Sequence, residues 1–150
     1  MSFAAERAVR SHSFVVALPT SRAFRLFEPE GERAWAAGWD PKYLQPADGR
    51  AEAGMVFTTS HGGEDTVWLM TRHEPQAGIV EYARVTPGSR IAAVLVQCAR
   101  LDAARTRVTV IYTFTALSEA GNAYVRAMDD SRYGEMIDGW ARAIEEAAAR

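Results

Sequence analysis

A chain of 150 residues, 48% hydrophobic and 24% charged, has the material to bury a core within one domain without staples. Its net charge of −2 gives no electrostatic footprint for nucleic acid, and Lys42 is its only lysine. One cysteine, Cys98, excludes an internal disulfide and a cysteine-rich zinc cluster; no segment nears the ~18 apolar residues of a membrane span; the amino-terminal MSFAAERAVR lacks a signal peptide's apolar run, so the expected compartment is the cytoplasm.

Residues 11–18 form a β-branched and aromatic run that predicts a strand, stopped by Pro19. Thr20 or Ser21 is then placed to cap a helix carrying Ala23, Phe24, Leu26 and Phe27, which Pro29 ends. A second short helix is expected over residues 30–37, with Gly38 as its stop. Trp39 to Leu44 has turn chemistry and reads as a loop.

Strands follow in rapid succession, over residues 55–60, 66–74, 79–86, 89–101 and 105–117. The turns between them fall at Gly62-Gly63, residues 75–78, Pro87-Gly88 and residues 102–104. Connections this short favour an antiparallel meander, because a parallel crossover needs a dozen residues or more. The last strand alternates most cleanly, with Val108, Val110, Tyr112 and Phe114 on one face and Arg107, Thr109, Thr113 and Thr115 on the other.

From Ser118, the expected cap, the period becomes helical to the end of the chain. The apolar stripe of this amphipathic helix runs through Tyr124, Met128, Ile137, Trp140, Ala141, Ile144 and Ala148. Asp129-Asp130-Ser131 interrupts it, as a kink or as the cap of a second helix. A sheet with one apolar face needs a cover, and this helix can supply it, with a cavity between the two.

The segments SFVVALPTSRAFRLF, GWDPKYLQP and RHEPQAGIVEYARVTPGSR, in this order of elements, resemble the START-like helix-grip superfamily, which includes polyketide cyclases, lipid-transfer domains and plant pollen allergens. The resemblance runs from about Ser11 to Ala148 and implies an α+β helix-grip fold: a curved antiparallel sheet wrapped around a long C-terminal helix, with two short helices after the first strand. It also implies a cavity used for apolar or aromatic small molecules. It carries over no catalytic set, and fold alone does not assign an activity.

Trp68, Met70, Tyr82, Tyr112, Phe114 and Trp140 are the candidate walls of that cavity, or else plain core filler. Arg72 and Glu81, with Arg84 and Gln97, are the polar candidates. If Arg72 and Glu81 share the inner face they could hold a ligand carbonyl or carboxylate; on the outer face they are surface charges. His12, His61 and His73 lack metal-ligand spacing, so no metal and no cofactor are expected; His73 would be a general base only if its strand turns it inward. Cys98 lies in an apolar strand and reads as a buried thiol. Trp39 either gates the cavity mouth or anchors its loop to the sheet.

Three functions are compatible with this reading. The first is a carrier or sensor that binds a small apolar or aromatic ligand. The second is a cyclase- or dehydratase-like enzyme using Tyr82, Tyr112, Arg72, Glu81 or His73. The third is a protein-interaction module, and a homodimer is left open.

Overall fold

The alternating segments resolve into strands in the computed structural model, which describes residues 2–150: β1 (Arg7–Val16), β2 (Lys42–Gln45), β3 (Val56–His61), β4 (Glu64–Glu74), β5 (Ile79–Thr86), β6 (Arg90–Asp102) and β7 (Arg105–Ala116). They form one antiparallel sheet in the order β1-β7-β6-β5-β4-β3-β2. Strands β2 to β7 are thus a meander, and β1 pairs with β7 along its whole length, from Arg7 opposite Thr115 to Val16 opposite Thr106. Two short helices, α1 (Thr20–Arg25) and α2 (Pro29–Glu32), follow β1, while α3 (Glu119–Ala127) and α4 (Asp130–Ala149) follow β7. The architecture is the expected α+β helix grip.

Side-chain alternation explains which face is which. Val108, Val110, Tyr112 and Phe114 of β7 are buried, as are Ala92, Val94, Val96 and Cys98 of the neighbouring β6. Register carries this inner row across the sheet, with Tyr112 opposite Val94, Val94 opposite Tyr82 and Tyr82 opposite Met70. Each such side chain, fully buried, contributes about 1.5–3 kcal/mol through its apolar surface. The hairpin between β3 and β4 turns at Gly62 (φ 59°) and Gly63 (φ 83°), two left-handed residues in succession, as a tight primed turn requires.

A bulge in β4 sets the facing of its last third. Met70 opposes Tyr82, but the next pair is Arg72 with Glu81, so Thr71 is the extra residue. Without it Arg72 would point inward and His73 outward; with it their faces are exchanged.

Several local expectations need correction. β1 begins at Arg7, because hydrogen bonding to β7 extends it beyond its apolar run. Neither Thr20 nor Ser21 caps α1: Pro19 occupies that position, and the Thr20 hydroxyl instead accepts a hydrogen bond from Thr106. The second helix is only Pro29–Glu32, and the chain then turns to Gly38 (φ 72°). Lys42–Gln45, expected as loop, is an edge strand made by pairing with β3.

The C-terminal helix is two helices. Ser118 caps α3 through Gly121 as expected, and Asp129 caps α4 by accepting from the Arg132 backbone N–H at 2.8 Å. Its side chain out-competes helix continuation, so the re-capping alternative is the one the structure takes. α4 lies along β1, buries Tyr133, Ile137 and Ile144, and sends the Tyr133 hydroxyl to the Val110 carbonyl at 2.7 Å.

Candidate functional site

One end of the inner sheet face is filled and the other is hollow. At the filled end Phe24, Phe27, Met70 and Val80 pack without exposure. At the hollow end a cavity of about 300 Å³ lies between the sheet and the helices, at the lower bound for a small-molecule pocket. Trp68, Tyr82, Arg84, Val94, Val96 and Tyr112 form its floor, with Glu32, Trp35, Trp39, Met136 and Trp140 around and above.

All four tryptophans of the chain line this cavity. Three are tethered by their indole N–H: Trp35 donates to the Leu26 carbonyl (2.8 Å), Trp39 to the Pro29 carbonyl (2.8 Å) and Trp68 to the Thr59 hydroxyl (3.0 Å). Bonding at one edge leaves the rings free to wall the cavity. Trp68 stacks on Phe57 at 5.6 Å and meets Tyr82 edge-on at 5.7 Å, while Trp140 contacts Trp35 at 5.5 Å and Tyr112 at 6.4 Å. Trp39 is thus an anchored wall residue, edge-on to both Phe57 and Trp68.

The polar groups are few and differ in how they are held. Tyr82 donates its hydroxyl to the Phe27 carbonyl at 2.7 Å, and burial with the negative charge of Glu32 and Glu28 pushes its phenol well up, so it stays neutral. Arg84 lies with its guanidinium 4.5 Å from the centre of the Trp68 ring and makes one long hydrogen bond, 3.5 Å to Thr66. Among the described residues it has no carboxylate within ion-pair distance. Burial also pushes the Tyr112 phenol up, and the charge of nearby Arg84 opposes that.

Glu32 is the residue sequence reading missed. It ends α2, and Gly31 before it is held so close to α1 that a Cβ there would lie 1.8 Å from the Arg25 carbonyl oxygen. Its carboxyl lines the cavity and has no hydrogen-bond or ion-pair partner among the described residues. Burial among the cavity walls raises its pKa well above the usual carboxylate range, with Arg84 pulling the other way. The signal was present: Glu32, Trp35 and Ala36 have i, i+3, i+4 spacing within the expected 30–37 helix, and all three line the cavity.

Of the eight candidates, the structure brings Trp68, Tyr82, Tyr112 and Trp140 together around the cavity. Met70 and Phe114 face inward but lie in the packed core, fully or almost fully buried and outside the lining. Arg72 and Glu81 are cross-strand neighbours on the outer face: Glu81 by alternation from the inward Tyr82, and Arg72 because of the bulge at Thr71. Arg72 pairs with Glu74 at 2.7 Å, and Glu81 accepts from the Thr71 hydroxyl at 3.1 Å. Gln97 is exposed on that same outer face. His73 does turn inward, but its Nε2 is held 2.6 Å from Glu28 at the filled end, away from the cavity. His61 sits at the cavity's rim, beside Gly38. Cys98 is buried, and burial pushes its thiol up to about 12, which leaves it a poor nucleophile.

No family model matches the sequence, and no curated protein does. Solved structures do match in shape. Truncated norcoclaurine synthase from Thalictrum flavum superposes with a TM-score of 0.71 at 9% identity, covering 99% of this chain and 97% of that one. The Zhui aromatase/cyclase from Streptomyces sp. R1128 gives 0.65 at 14% identity, with 97% of each chain covered. Ara h 8.0201 gives 0.66 at 9%, covering 97% of this chain and all of that one. Another norcoclaurine synthase structure, with a TM-score of 0.67 at 10% identity over 95% and 88% of the two chains, is a complex with dopamine and hydroxybenzaldehyde. At these identities the likeness establishes the fold.

Proposed function

Because this chain has the START-like helix-grip fold, we propose that it binds a small, flat aromatic molecule in the tryptophan-walled cavity, as a carrier or sensor. The single observation that carries this reading is the gathering of Trp35, Trp39, Trp68 and Trp140 around one hollow. A core built only for stability would close such a space, because interiors pack to crystal-like density. Three of these rings are held at one edge by hydrogen bonds, so little side-chain freedom is left to lose on binding. A second reading, a cyclase- or dehydratase-like enzyme, draws on Glu32, a carboxyl without a partner among the described residues that could move a proton on a bound chain.

Titration with an environment-sensitive apolar dye beside a thermal melt tests the first reading. The expected result is saturable binding near one dye per chain, quenching of tryptophan fluorescence and a cooperative melt that rises with dye. A cooperatively folded protein that binds no dye and no small aromatic compound would remove the proposal. Turnover of an enolisable aromatic ketone that vanishes in Glu32→Gln would favour the enzyme.

A further inference from the structure

The polar groups of the cavity carry more information than its shape. Arg84 is a permanent cation whose nearest partners are an aromatic face and a long bond to Thr66. Among the described residues Glu32 is the only carboxyl in the lining, and it shares the hollow with Arg84 without forming an ion pair. Tyr112 adds a phenol that burial keeps protonated. The polar groups that share the lining with Glu32 are Arg84 and Tyr82 from β5, Tyr112 from β7, and His61 at the rim; α4 contributes the uncharged Met136 and Trp140, and Glu28, whose charge also reaches Tyr82, lies outside the lining.

We propose that the ligand is an ionised aromatic carboxylate, held by the Arg84 guanidinium and the Tyr112 hydroxyl, and that Glu32 is protonated when it is bound. The inference rests on the reading that the cavity binds an aromatic molecule, and adds the charge of that molecule. With Glu32 protonated the cavity contains one uncompensated positive charge, and an anion restores neutrality in a low-dielectric space. With Glu32 ionised the cavity is already balanced, and a second carboxylate meets repulsion. A planar guanidinium can present two parallel N–H donors to a carboxylate, and the aromatic walls take the ring. A protonated Glu32 becomes a further donor where an ionised one could only accept. Binding is therefore linked to proton uptake, and affinity for the anion falls as pH rises through the range where free Glu32 ionises.

The experiment compares naphthoate with uncharged naphthalene from about pH 5 to about pH 9, a range in which naphthoate stays ionised. Naphthoate is expected to bind wild-type protein at least about tenfold more tightly at the acid end, and to lose that margin as pH rises. Naphthalene affinity should stay flat. Glu32→Gln, which keeps a donor and cannot ionise, should hold naphthoate affinity at its acid-end value throughout. Arg84→Met should abolish the preference for naphthoate at every pH, and Arg84→Lys should retain part of it. Thermal melts confirm that each variant is folded.

Naphthalene binding with no preference for naphthoate would overturn the inference and leave the aromatic pocket standing. A pH dependence that survives in Glu32→Gln would place the proton elsewhere, with His61 the other titrating group at the rim, and would also overturn it. Failure of both probes would remove the pocket reading itself.

Discussion

Glu28 and Glu32 bracket the four-residue helix α2, yet they serve opposite ends of the sheet's inner face. Glu28 is 8% exposed, lies 2.6 Å from His73 and also meets Arg25 at 3.5 Å. Glu32, one turn on, faces a hollow and has no such partner among the described residues. A buried carboxylate with its partners in place holds α2 to the sheet. A carboxyl left facing a cavity serves no evident packing role, and its poise is available to a ligand. The same contrast holds for the apolar side chains: Met70 is enclosed by the core, whereas Trp68, two residues earlier on β4, stacks on Phe57 and also lines the cavity beneath Arg84.

The contrast breaks most visibly under truncation. Met70→Ala should lower the unfolding free energy by about 2–5 kcal/mol, the usual cost of a cavity in a closed core, while dye affinity changes less than about twofold. Denaturant melts and dye titration read the two quantities separately. A Met70→Ala protein with unchanged stability and weakened binding would mean that the filled end is not filled.

His73→Ala is the next largest. Removing the imidazole strips Glu28 of its close partner at a nearly buried position, and a loss of about 1–3 kcal/mol is expected. Ligand affinity should again hold, because His73 lies outside the cavity lining. Trp140→Ala reverses the pattern. This ring is only half-buried in the core sense but walls the cavity, so affinity should fall about tenfold, or ~1.4 kcal/mol, with a smaller stability loss than Met70→Ala. Equal effects on both readouts from all three changes would dissolve the distinction between the ends.

Much of this division was legible in the sequence, and the gaps have identifiable causes. The meander followed from hairpin chemistry, and Gly62-Gly63 announced its tight turn. The inner row of β7 followed from strict alternation. What alternation could not supply was the bulge at Thr71, a two-against-one pairing that depends on β5 and leaves no mark in β4 alone. That single residue moved Arg72 to the outer face, beside Glu81, which plain alternation from Tyr82 already puts there, and turned His73 inward. β2 was invisible for a related reason: its four residues become a strand by pairing with β3. Glu32 was overlooked because the Pro-Glu-Gly-Glu helix is too short to show a period of its own; its spacing to Trp35 and Ala36 was the one signal, and it gains meaning only once the Trp35 bond to Leu26 shows which way that turn faces. Aromatic residues reveal a cavity wall poorly from sequence, since Phe114 and Tyr112 alternate on the same face and only one reaches the hollow.

The smallest effect is also the most specific to Glu32. Its pKa in the folded protein is raised above the ordinary value by burial, so between the ordinary carboxylate range and the raised value the folded chain holds a proton that the unfolded chain has released. Unfolding then releases that proton, and stability contributed at this site is present at acid pH and falls as pH rises through that interval. Glu32→Gln removes the titrating group while keeping its shape and a polar tip. Its melting temperature should match wild type at mildly acid pH and exceed it at neutral and alkaline pH, by the margin wild type loses over the interval. Thermal melts in buffers of matched ionic strength across that range measure this directly. A wild-type curve parallel to that of Glu32→Gln would show that Glu32 ionises at its ordinary pKa, as a carboxyl freely open to water does, and would erase the difference between the two ends of α2.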